Sequence, residues 1–212
     1  EQDPIRGVFA YVADGLLQPG EEAPAHQPQL LPGQVKLKNI NGDDKLNEED
    51  MVLIGRNDPK FIFGFNNNFS YKNFDLNIYM YGQVGKIAGA NSYYDAWGSY
   101  GNRIKLGQNV PVSFKDAWSS DNQTSTRPSF IESAYGTGDL FLQKISFLRI
   151  RNITLGYTVP ISKSICNRLR VYADINNPCV WTNWKGQDPE TDSNTNAYPN
   201  VTSFSIGVDI SF

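Results

Sequence analysis

The densest run of oxygen-bearing side chains is Asn39-Ile40-Asn41-Gly42-Asp43-Asp44-Lys45-Leu46-Asn47-Glu48-Glu49-Asp50. Asn39, Asn41, Asp43 and Asp50, with the Lys45 carbonyl, fall where a twelve-residue calcium loop sets its oxygen ligands, and Leu46 falls at the apolar anchor. The charge is thin for that chemistry. Asn39 replaces the usual first aspartate, Asp44 stands where glycine makes the sharp turn, and Asp50 is shorter than the usual bidentate glutamate. Asp44 can still turn in the left-handed backbone region. The expectation is therefore a weak calcium site of the extracellular, millimolar kind, set against an acidic turn that caps itself, and calcium is the one cofactor the chain suggests.

Catalytic sets are scarce. Asp188 and Glu190 flank Pro189 and are the nearest approach to the carboxylate pair of a hydrolase, but acids at this spacing in a proline-containing loop more often shape the turn. His26, the single histidine, lies between Pro24 and Pro28 and reads as a solvated side chain rather than a base or ligand. Neither Cys166 nor Cys179 has a histidine beside it to generate a thiolate. No enzyme is expected. Aromatic residues offer a different chemistry: Tyr93, Tyr94, Trp97, Tyr100 and Trp118 in residues 86–144, and Trp181 and Trp184 in residues 177–200, are candidate substrate contacts. They could stack on sugar faces or anchor peptides, or pack their own loops. Loops of this length are usually functional or disordered.

The elements that carry these residues read as strands. Phe61, Phe63, Phe65, Phe69 and Tyr71 share one parity and Phe74, Leu76, Ile78, Met80 and Val84 the other, with the phase flipping across Lys72-Asn73. A two-residue turn there pairs Tyr71 with Phe74, Phe69 with Leu76 and Phe65 with Met80, on one face of a hairpin. The opposite face carries Asn66, Asn68, Asp75 and Asn77, too polar for a dry core. Strand character resumes over Ile145–Val159, with a phase slip near Arg151 and Asn152 that predicts a β-bulge. It continues over Leu169–Asn176 and from Thr202 to Phe212, where Phe204, Ile206, Val208, Ile210 and Phe212 alternate with small polar residues. Five such strands, oily on one face and wet on the other, fit an all-β, antiparallel transmembrane barrel segment with long extracellular loops. Short turns lie at one end and long loops at the other. Cys166 and Cys179 then lie at opposite ends of a strand, about 30 Å apart at roughly 3.3 Å per residue. A disulfide needs Cα atoms within about 7 Å, so none is expected.

Residues 1–59 are cut by Pro4, Pro19, Pro24, Pro28, Pro32 and Pro59 and by several glycines, and read as one extracellular loop region ahead of the strands of residues 60–212. Across all 212 residues no window is apolar enough for a membrane-spanning helix. The mean hydropathy of −0.44 does not argue against a barrel, whose strands are polar at alternate positions. A net charge of −3 without a basic cluster excludes nucleic acid. The start at Glu1-Gln2-Asp3-Pro4 lacks a secretion signal, so the chain is expected to begin after processing or within a longer protein.

Several runs together resemble the SusC-like, or RagA-like, TonB-dependent outer-membrane transporters. They are Gly42-Asp43 in the acidic loop, Pro59-Lys60-Phe61, Trp118 with Asn122 and Pro128, Phe147-Leu148-Arg149-Ile150-Arg151-Asn152-Ile153-Thr154-Leu155-Gly156-Tyr157, Leu169-Arg170-Val171-Tyr172, Asp188-Pro189-Glu190 and the terminal Phe212. Asn39 and Asp44 depart from the family pattern in the acidic loop. The resemblance implies the last five or so strands of a 22-stranded barrel in the bacterial outer membrane. It also implies import of an oligosaccharide or peptide ligand with a SusD-like surface lipoprotein, and energy from TonB through a region absent from this chain. Phe212 resembles the terminal aromatic signal read by the barrel-assembly machinery. The alternative is a stand-alone β-rich carbohydrate-binding or adhesion module, which would need a second dry face on each strand.

Overall fold

Proline and glycine in the first part of the chain leave room only for strands of three to five residues, and such strands form. The computed structural model describes residues 6–89, 106, 107, 109, 112–130, 135–161, 166–186, 188–191 and 197–212. It divides into two units, one of Glu1–Asn57, Ile87–Gln143 and Asp192–Thr195, the other of Asp58–Lys86, Lys144–Thr191 and Asn196–Phe212.

In the first unit β1 (Gly7–Ala10) pairs antiparallel with β4 (Val52–Arg56), and β2 (Ala13–Leu16) with β3 (Val35–Leu37). The segment expected to be loop thus holds four short strands. Leu16, Val35, Leu37 and Trp118 form a buried core, with Leu46 of the acidic loop packed against it as its anchor position foretold. Gly33, at φ +85°, lies so close that a Cβ there would sit 2.2 Å from the Trp118 ring. Polar side chains complete the strand ends. Buried Gln27 accepts from the Leu37 N–H at 2.7 Å, and the Asp139 carboxylate accepts from the Ala13 N–H at 2.8 Å. The expectation of a solvated His26 is corrected: its half-buried ring hydrogen-bonds through Nε2 to the Leu37 carbonyl at 2.8 Å. The backbone needed a donor where the pairing stops.

The second unit is built on β5 (Phe61–Tyr71), β6 (Phe74–Gly89), β7 (Leu142–Val159), β8 (Arg168–Thr182) and β9 (Ser203–Ser211), hydrogen-bonded in that order. Register in the first hairpin is the one the parity flip demands, with Tyr71 opposite Phe74, Phe69 opposite Leu76 and Phe65 opposite Met80. Lys72, at φ 54°, makes the turn. One face of the sheet carries these apolar residues, with Asn67 interrupting the row, and continues through Leu155, Val171, Phe204, Ile206, Val208 and Ile210, all exposed. On β7 the register shifts between Ile150 and Asn152, at the bulge that the sequence signals. The shift lets buried Phe147 and Arg149 on one side of it share the wet face with Asn152 and Thr154 on the other. Phe147 meets the wet-face ring of Tyr81 at 5.7 Å between centroids, and Asn152 pairs with Asn176. Cys166 and Cys179 are both free.

Candidate functional site: the wet wall and its clamped turn

Along the wet face of the sheet, side chains saturate one another across strands. The Asn77 amide donates to Asn66 and Asn68 at 2.7 and 2.6 Å, Asn152 donates to Asn176 at 3.0 Å, and the Thr154 hydroxyl donates to Asp174. Near the short turns Arg170 of β8 reaches over β7 to Asp75 of β6, Nε to Oδ1 at 2.9 Å, and also donates to Asp209 of β9 at 3.2 Å. The reach needs Gly156 beneath it, since a Cβ there would lie 2.4 Å from the guanidinium. These are cross-strand pairs of the sort that fix a sheet, here all polar and all on one face.

Toward the long loops the wet face carries a turn. Asp188, Pro189 and Glu190 fold against β7, where buried Arg149 donates to Asp188 at 2.8 Å and its Nε lies 3.3 Å from Glu190. Arg151 donates to Glu190 at 3.1 Å and also reaches Asn177 and Asn200. The Asp188 carboxylate further accepts from the backbone N–H groups of Glu190 and Asn200, at 2.9 and 3.0 Å. Burial pushes the Asp188 carboxyl upward, but these two N–H groups and the Arg149 guanidinium outweigh it and hold the group below the usual carboxylate range. Two guanidinium groups and two carboxylates thus close on each other. Asp188 and Glu190 are spent on holding the turn, so neither is free to act as the acid or base of a hydrolase.

The aromatic candidates separate. Trp118 is a core residue of the first unit, and the Trp184 ring is buried, its backbone N–H donating to the Thr182 hydroxyl at 3.0 Å. An indole enclosed by protein has no face left for a sugar, so both leave the set of substrate contacts. Trp181 is 54% exposed and is paired with Leu148 on the apolar face. Tyr93, Tyr94, Trp97 and Tyr100 lie outside the described residues.

In the acidic loop Asp44 does turn left-handed, at φ 59°. Asn39, Asn41 and Asp43 each accept a backbone N–H from Gly42, Asp43 and Lys45, and the side chain of Asn47 caps the short 3-10 helix Glu48–Asp50. Asp50 is buried, and its carboxylate accepts from the N–H groups of Asn47, Ile40 and Asn41, which hold it below the usual carboxylate range. Among the described residues no three His, Cys, Asp or Glu side chains gather to hold a metal. A calcium ion here would rest on Asn39, Asn41, Asp43 and the Lys45 carbonyl, with Asp50 turned to the backbone.

No family model matches the chain. TonB-dependent receptor P3 of Formosa agariphila is 27% identical over the whole of it. TonB-dependent receptor SusC of Bacteroides thetaiotaomicron is 26% identical over 81% of it. The chain spans about a fifth of the length of each, 22% and 17%. Solved structures of the RagAB peptide transporter superpose with TM-scores of 0.71 and, in the open-open state, 0.70, at 22% identity over 97% of the chain and about a fifth of theirs. Amphipathic antiparallel strands with a saturated wet face and a bare apolar face are the wall of an outer-membrane β-barrel. In sequence and in fold this segment is similar to one particular kind, the SusC-like or RagA-like TonB-dependent outer-membrane receptors.

Replacing Arg149 with Met leaves two acids without their buried cation and is expected to cost the complete barrel about 3–5 kcal/mol, read from thermal unfolding in detergent. Asp188→Asn should reproduce part of that loss at neutral pH. Because the folded Asp188 carboxyl titrates below the ordinary value of about 4, its stabilisation is complete above that pH and disappears as pH falls through the lower folded value. The difference between Asp188→Asn and the parent should therefore vanish in strong acid. For the acidic loop, calorimetry on the complete receptor is expected to show no calcium binding tighter than millimolar at Asn39 to Asp50. A micromolar heat absent in Asp43→Asn would overturn the self-capped reading.

Proposed function

We propose that the complete protein is an active importer that carries a bulky nutrient, an oligosaccharide or a peptide, across the outer membrane. The observation that carries this reading is the wall itself: five strands with polar side chains saturated on one face, and Phe61, Phe65, Phe69, Leu155, Phe204 and Ile206 bare on the other. A sheet of this kind in hydrocarbon must be closed by further strands, and a barrel of the size the relatives imply needs a plug and an energy source. The named relatives support TonB as that source, and RagAB is itself a peptide importer. A SusD-like surface lipoprotein is the proposed lid, resting on loops such as residues 86–144. Residues 1–59 belong to the extracellular side, because β5 runs from them down to the short Lys72-Asn73 turn and short turns are periplasmic. Any calcium taken by Asn39 to Asp50 would order that outer loop.

A stand-alone binding or adhesion module is disfavoured by the same wall. Among the described residues no second layer covers the apolar face of the sheet, and the opposite face is wet.

The deciding measurement is labelled-oligosaccharide and labelled-peptide uptake by cells carrying the intact receptor, with TonB and the neighbouring lipoprotein removed in turn. Uptake is expected to fall to background without TonB. Undiminished uptake there would replace import by a passive pore.

A further inference from the structure

The apolar face is not uniformly ridged. Over β7, β8 and β9 it holds an open groove of about 300 Å³ between Phe74, Leu155, Tyr157, Val171, Ala173 and Ile206. A second, of about 250 Å³, shares Leu155 and Ala173 with it and runs on past Ile153, Ile175 and Phe204. The dent exists because Ala173 stands among Leu, Ile and Phe neighbours that all project further. From Val171 to Ile175 it follows the strand for about 13 Å at roughly 3.3 Å per residue, a length suited to the first half of a fatty acyl chain.

One end of the groove is marked by charge. Phe74 opens it, with its ring 4.7 Å from that of Tyr157, and Phe74 faces Tyr71 across the tight turn. Lys72, in that turn, holds its ammonium 5.4 Å from the centre of the Tyr71 ring. Tyr71 belongs to the apolar face, so the cation lies on the lipid side of the wall rather than over the wet face. A cation at the rim of an apolar channel matches a phosphate that carries a hydrocarbon tail. From this geometry we infer that the surface is a specific site for one glycerophospholipid, with its phosphate at Lys72 and an acyl chain lying along Ala173. The site continues the lipid-facing wall, and its place in the periplasmic leaflet rests on the orientation proposed above.

The test uses the complete receptor, reconstituted in nanodiscs of phosphatidylethanolamine, released into the gas phase and weighed by native mass spectrometry. Ala173→Leu fills the groove and Lys72→Gln removes the cation. Both positions lie on the lipid side or in the turn, and heat-modifiable migration verifies that each variant is a closed barrel. The parent is expected to retain one phosphatidylethanolamine that each variant loses at least threefold more readily. Equal retention by the parent and Ala173→Leu would overturn the site. Loss in Ala173→Leu but not in Lys72→Gln would overturn it too, since the phosphate would then lie elsewhere. In a competition arm, preferential capture of lipid A would refute the glycerophospholipid. Uptake is not read in this experiment, so its failure would leave the import proposal standing, and failure of TonB dependence would leave the lipid site standing.

Discussion

In hydrocarbon there is no water to take up an unpaired N–H or C=O, and every other feature of the five-stranded wall follows from that constraint. Backbone groups must pair between strands, so the sheet extends by antiparallel neighbours from β5 to β9. Once the pairing is fixed, the two faces of the pleat are fixed with it, and a single-residue slip would turn every phenylalanine of β5 inward. The two-residue turn at Lys72 and the bulge beyond Ile150 are the places where the phase is set and reset. The polar side chains then have only one face to occupy. There they find each other, as Asn77 does with Asn66 and Asn68.

What could be read from the residues alone was the part governed by period. Phe65 opposite Met80 follows from two parities and a turn length, and the slip at Arg151 and Asn152 from one missed alternation. Contacts that join distant stretches leave no such trace. Arg149 and Asp188 are 39 residues apart, and Arg170 and Asp75 are 95 apart, so no spacing rule connects them. The available hint was that arginines on the wet phase of a strand need partners of opposite charge there. His26 and Trp118 were misplaced for a related reason. Proline-rich surroundings suggested solvent for the one, whose ring instead bonds the Leu37 carbonyl, and an aromatic loop suggested ligand for the other, which a small core with Leu16, Val35 and Leu37 buries.

The same carboxylate chemistry serves two ends in the two units. Asp50 turns inward to collect three backbone N–H groups. Asp188 collects two and adds Arg149, because it must also fasten a turn to a strand. An acid that caps holds its own neighbourhood, whereas an acid that pairs with a distant guanidinium holds two parts of the chain together. Motif spacing in the acidic loop is shared by metal ligation and by capping, so it could not separate them.

Gly156 has a mechanical meaning. Because β7 carries no side chain at that point, Arg170 passes over it and ties β8 directly to β6, with β9 taken in through Asp209. A ladder of hydrogen bonds joins only adjacent strands and yields when one slides past the next. The guanidinium acts instead as a diagonal brace: shearing β6 against β8 breaks it, and sliding β7 drives a side chain into it in place of Gly156. Such a brace cannot form while the sheet has only its first two strands. It locks once β8 is in register, so this corner of the wall stiffens on completion of its strand order and not progressively as strands are added.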